Sequence, residues 1–100
     1  MTKYRAVKTA GYASKGEAKR AQELQLLERM GKISNLRFQV KVELIPKQDG
    51  ERACNWIMDF MYEEDGEEIW EDFKGFRTPE YIIKRKLVLW RYGKKVRETR

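Results

Sequence analysis

The chain has no histidine and a single cysteine, Cys54. The first absence excludes Ser-His-Asp and Cys-His catalysis, imidazole zinc sites and histidine general-base nucleases. The second excludes an internal disulfide and a cysteine metal cluster. No apolar run approaches the ~20 residues of a membrane span, and no signal-peptide pattern opens the chain. A soluble protein acting in the cytoplasm is therefore expected. Whatever chemistry it performs must come from carboxylates, lysine, arginine, tyrosine, serine or threonine, or from a hard metal held by oxygen.

What is present fits one small domain. The chain has 100 residues, 41% hydrophobic and 38% charged, enough for one core and too few for two. The net charge of +6 hides a segregation. Residues 63–72 (EEDGEEIWED) hold seven of the 16 acids and no base, leaving nine acids against 22 bases elsewhere. Lys3, Arg5, Lys8, Lys15, Lys19 and Arg20 cluster near one end, and Lys84, Lys94 and Lys95 lie among the bases near the other. These are the candidate nucleic-acid contacts, because such a field attracts a polyanion through phosphate neutralisation and counterion release. A basic surface also serves solubility alone. An acidic island inside it has the form of a cation site beside a phosphate-binding surface.

Local signals set the element order. Residues 1–13 read as a basic arm. Ser14-Lys15-Gly16-Glu17 has the form of a capping box, which predicts a helix to about Met30, stopped by Gly31. Leu36 to Ile45 alternates strictly, with Leu36, Phe38, Val40, Val42 and Leu44 in one row, as in a half-buried strand. Asp49-Gly50 and Asp65-Gly66 supply hairpin turns. Strands are expected over about Ala53–Tyr62 and Glu67–Lys74. Thr78-Pro79 starts a second helix, ending at Gly93, and about Lys94–Glu98 can form a fourth strand. The second helix is apolar nearly all round, which predicts burial on two sides and an oligomer contact.

Chemistry concentrates on two strands. Asp72 and Lys74, two apart, share a strand face. Asp59 stands in an apolar context (Trp56-Ile57-Met58-Asp59-Phe60-Met61-Tyr62), where a carboxylate needs a partner. Two carboxylates on neighbouring strands suit Mg²⁺, with Mn²⁺ as substitute, completed by water and phosphate, and Lys74 could orient the water or neutralise developing charge. Plainer roles exist for each: an exposed Asp72–Lys74 ion pair, a turn-bonded Asp59. Glu71, on the opposite face from Asp72, is expected in solvent. Gln39, on the strand face opposite the apolar row, could contact the site, though an exposed strand residue is the plainer reading; Trp56, Trp70 and Trp90 read as core or interface, or as platforms for an exposed base.

Asp59, followed after a hairpin by Asp72-Phe73-Lys74, resembles the motif of the PD-(D/E)XK nuclease superfamily, and the α-β-β-β-α-β order resembles its restriction-endonuclease-like core. The ordered blocks Ser14-Lys15-Gly16-Glu17-Ala18-Lys19-Arg20, Leu44-Ile45-Pro46, Asp59-Phe60 and Glu71-Asp72-Phe73-Lys74-Gly75 are similar to small phage and prophage proteins related to phage endonuclease I and Holliday-junction resolvases. Met58 stands where the motif's name has proline. The resemblance implies an α/β fold with a mixed sheet, an antiparallel meander and flanking helices. It also implies Asp59 and Asp72 as metal ligands, Lys74 as catalytic lysine and Glu17 as a further acid near the metal. Glu17 also stands at the third position of the capping box, where it can reach back to the Ser14 amide. The expectation is a homodimeric Mg²⁺-dependent endodeoxyribonuclease acting on branched DNA in a bacterial host. The alternatives are a non-catalytic nucleic-acid-binding protein, or a phage protein that binds a host protein through residues 63–72.

Overall fold

A computed structural model describes residues 14–74 and 77–100. The basic arm, with Lys3, Arg5 and Lys8, lies outside the described residues. The element order is α1 (Lys15–Arg29), β1 (Ser34–Ile45), β2 (Cys54–Glu64), β3 (Glu67–Phe73), α2 (Pro79–Tyr92) and β4 (Arg97–Thr99). The fold is α/β with a mixed sheet, as the sequence predicts.

Both helices begin on the predicted caps. The Ser14 hydroxyl accepts from the Glu17 amide, and the Thr78 hydroxyl accepts from the Tyr81 amide. Each satisfies an amide that lacks a carbonyl one turn back. Gly93, at φ 68°, closes α2 in the left-handed conformation and donates its N–H to Leu89. In the β2–β3 hairpin, Asp65 and Gly66 both have positive φ, 51° and 80°, the twist that lets two strands meet across a two-residue turn.

The sheet order is β1-β2-β3-β4, with the first three strands antiparallel and β4 parallel to β3. A parallel neighbour needs a crossover, and α2 provides it. The fourth strand is shorter and later than the sequence suggests. It pairs Glu71 with Arg97, Asp72 with Glu98 and Phe73 with Thr99.

The helices cover opposite faces. Ala21 and Leu24 of α1 pack on Ile33, Phe60 and Tyr62, with Leu36, Phe38, Ile69 and Phe73 around them. Against α2 pack Val42, Leu44, Trp56, Met58, Met61 and Trp70, with Tyr81, Val88 and Val96. The single apolar row of β1 is thus divided: Leu36 and Phe38 serve one core, Val40, Val42 and Leu44 the other. β2 divides in the same way between Met58 and Phe60. A regular strand keeps alternate residues on one face, so both strands must turn over. The turnover falls at Gln39, which has φ 53°, and at Asp59, which stands opposite it between the Phe38–Phe60 and Val40–Met58 pairs.

Two expectations are corrected. Glu71 is not solvated; it is 0% exposed. Arg20 donates to it at 2.6 and 3.0 Å, Tyr62 Oη at 2.5 Å and Thr99 Oγ1 at 3.0 Å. Burial pushes its carboxyl up, but the Arg20 and Tyr62 hydrogen bonds outweigh this and hold it below the usual range. Second, α2 buries only Tyr81 and Val88 within the described residues, while Ile83, Leu89 and Trp90 are exposed, Trp90 at 81%. The core of one chain therefore covers a single side of this helix.

Candidate functional site

The site lies where β2 and β3 part. Their ladder ends at the Phe60–Glu71 pair. Beyond it, side-chain carboxylates take the place of backbone carbonyls. The Asp59 N–H donates to Asp72 Oδ1 at 3.3 Å, and the Phe73 N–H donates to Asp59 Oδ2 at 2.9 Å. Each aspartate thereby receives an amide from the other's strand, which fixes both carboxylates at the fork.

Asp72 is 2% exposed. Its Oδ2 has no aligned hydrogen-bond partner among the described residues, although Lys74 Nζ stands 3.2 Å away. Burial, and then the charge of Asp59, push the Asp72 carboxyl up to about 7, against the opposing pull of Lys74. Lys74 sits one residue past β3, and its N–H continues the β4 ladder by donating to the Thr99 carbonyl at 2.9 Å. Its ammonium lies 4.7 Å from the centre of the Tyr81 ring, a cation–π contact that holds the charge over the fork. Together these groups open into a cleft of about 290 Å³, also lined by Trp56, Ile57, Thr78, Glu80 and Lys84.

Of the predicted residues, Asp59, Asp72 and Lys74 meet here. Glu17 approaches from the other side. It is buried in the first turn of α1, and Gln39 Nε2 donates to Glu17 Oε2 at 3.1 Å and to Asp59 Oδ1 at 3.5 Å. The glutamine thus stands between the two acids. Among the described residues, no three His, Cys, Asp or Glu side chains form a metal-ligating group. Asp59 and Asp72 form the carboxylate pair, and Gln39 bridges from Asp59 to Glu17.

Gln39 and Tyr81 also enter the site. Gln39 is partnered because its left-handed backbone turns it toward Glu17 and Asp59, a conformation no pattern of side-chain types announces. Tyr81 is also part of the core under α2, its ring packing edge-on against Trp56, 5.3 Å between centroids.

The expected nucleic-acid contacts fare differently. Lys15, Lys19 and Lys95 are exposed. Lys84 lines the cleft and pairs with Glu80 at 3.3 Å. Lys94 Nζ donates to the Glu68 carbonyl at 2.9 Å. Arg20 is turned inward to Glu71, which removes it from a phosphate-facing set. The acidic run also fails to form one pool. Arg37 holds Glu68 at 3.0 Å and Arg97 holds Glu64 at 3.1 Å, while Glu71 and Asp72 point to opposite faces of β3.

Fold and site define a small three-layer α/β protein with a carboxylate pair and a lysine at a sheet fork. The chain belongs to the family described as "Protein of unknown function (DUF1064)", whose model matches residues 1–99. No curated protein and no solved structure matches the chain.

Proposed function

We propose that the protein is a metal-dependent endodeoxyribonuclease that hydrolyses phosphodiesters in branched DNA such as four-way junctions. One observation carries this: Asp59, Asp72 and Lys74 converge at the fork between β2 and β3, with Asp72 Oδ2 buried and lacking an aligned donor. A buried carboxylate oxygen met by one ammonium at 3.2 Å, with no well-aligned hydrogen bond among the described residues, is incompletely satisfied, which is costly. A hard cation held by Asp59 and Asp72 would remove that cost, and the all-oxygen donor pair suits Mg²⁺ or Mn²⁺. When bound, such a cation polarises the phosphoryl oxygens and eases deprotonation of water.

The remaining work falls to the chain's own groups. Lys74 orients the attacking water and offsets charge that develops on the phosphorane-like transition state. Tyr81 fixes the position of that ammonium. Gln39 and Glu17 hold Asp59 from behind. Lys84 extends the positive lining of the cleft toward the flanking phosphate. Two strands of a junction call for two sites, so the active species is a two-fold dimer. Its contact falls on the uncovered side of α2 around Ile83 and Trp90.

The test is a labelled four-way junction incubated with Mg²⁺, Mn²⁺ or EDTA, beside duplex and flap controls. Metal-dependent nicking, strongest on the junction, is expected. If no DNA form is nicked with either metal while binding persists, the enzymatic proposal is lost and a non-catalytic DNA-binding protein remains.

A further inference from the structure

A second concave surface lies between α2 and β4, outside the cleft. It is a groove of about 400 Å³ lined by Arg77, Arg85, Lys86, Lys94 and Lys95, with Glu98 as its one acid among the described residues. That carboxylate is already taken. Arg77 donates to it at 2.6 Å, Arg85 at 3.3 Å and the Tyr81 hydroxyl at 2.6 Å. Lys94 is held by a neutral carbonyl, and Lys86 and Lys95 enter no ion pair among the described residues. Three ammonium groups therefore border one groove with no carboxylate of the described residues paired to them. Such a field draws an anion with several charges in succession more strongly than a single one.

The groove adjoins the cleft. Tyr81 links the two: it lines the cleft, where its ring underlies Lys74, and its hydroxyl donates to Glu98, which lines the groove. Lys84 and Arg85, consecutive on α2, line the cleft and the groove respectively.

We propose that this groove grips the sugar–phosphate backbone of bound DNA, on phosphates beyond the one at the carboxylate fork. The choice of DNA over an acidic protein rests on the nuclease proposal, since the same strand can then run from fork to groove. Contacts of this kind position a strand without reading its sequence.

The experiment measures binding of a labelled four-way junction by fluorescence anisotropy in EDTA, across a salt series, so that no cleavage is needed. The double variant Lys86→Glu with Lys95→Glu changes two exposed side chains. A control of equal charge change, Lys32→Glu with Lys47→Glu, alters exposed lysines that line neither groove nor cleft. The groove variant is expected to bind about tenfold or more weakly, and its log Kd against log salt slope should fall by about 2, near 0.9 for each phosphate no longer neutralised. The control should keep the parent slope. Equal losses in both variants would reduce the effect to overall charge and overturn the groove. So would competition by polyglutamate as effective as by unlabelled DNA, which would favour an acidic protein. Circular dichroism melts of both variants exclude misfolding as the cause. Failure of cleavage in Mg²⁺ with the differential binding intact would sink the nuclease proposal and spare the groove; the reverse result would do the opposite.

Discussion

Asp59 and Asp72 hold each other's strands: the Asp59 N–H donates to Asp72 Oδ1 at 3.3 Å, and Asp59 Oδ2 accepts the Phe73 N–H at 2.9 Å. The two acids thus replace the next rung of the β2–β3 ladder. They open the sheet at one point and fix their carboxylates beside the Lys74 ammonium, 3.2 Å from Asp72. The arrangement makes separable demands on stability and on chemistry.

Lys74→Ala and Asp59→Ala should each lower junction cleavage by about 10²–10³-fold, the range for removing a group that meets developing charge. Junction affinity in EDTA should stay within a few-fold of the parent. Single-turnover cleavage and anisotropy on the same preparations check this. A parallel loss of binding and cleavage would assign these residues to docking instead.

Asp72 sets a pH dependence. Its proton leaves the unfolded chain near 3.8 and the folded chain near 7, because burial and Asp59 disfavour the charge. Between those values the folded state holds the extra proton, so stability falls as pH rises through this window and levels off above it. Asp72→Asn carries no such charge. In EDTA it should melt near the parent at pH 4 and about 5 °C or more above it at pH 8. Adding Mn²⁺ at pH 8 should raise the melting temperature of the parent and not that of the variant.

Gln39 combines strain with a bridging role. A non-glycine residue at φ 53° costs about 1–2 kcal/mol. Gln39→Gly should therefore keep or raise the melting temperature while lowering cleavage by about 10–100-fold, the size of losses when a partner behind a metal ligand is removed. Gln39→Ala should lose cleavage equally and be less stable than the glycine variant. Undiminished cleavage in both would remove Gln39 from the site.

Gly16 stands in the first turn of α1, where alanine would ordinarily favour the helix. Here an added Cβ would overlap the Phe73 ring. Gly16→Ala should destabilise by about 1–3 kcal/mol in urea unfolding, as overpacking does. It should also reduce cleavage, because the Phe73 amide anchors Asp59.

Arg20→Ala leaves Glu71 buried with hydroxyl partners only. The expected cost is about 3–5 kcal/mol, typical of breaking a buried pair from one side. Arg20→Met combined with Glu71→Met should recover much of it, measured by the same urea midpoints.

Much of the fold was legible because its cues are local. Ser14, Thr78, Pro79, the two Asp-Gly turns and Gly93 each act through a backbone contact a few residues away, and the elements they bound lie close to where they predict. The pairing of Asp72 with Lys74 followed from strand alternation alone. Alternation says which face Glu71 occupies, not whether α1 brings an arginine to cover that face. The division of the β1 row is not legible because nothing in the residue types marks Gln39 as left-handed.

The sequence by itself determined the element order, the strand face shared by Asp72 and Lys74, and the oxygen-and-amine chemistry open to a chain without histidine. These depend on composition, on backbone periods and on contacts within a few residues. Tertiary structure alone decided that Asp59 crosses to Asp72, that Gln39 bridges Glu17 to the pair, that Arg20 turns inward to Glu71, and that five basic side chains border one groove. Those outcomes depend on how strands turn over and how helices seat on opposite faces of the sheet, which set distances between residues far apart along the chain.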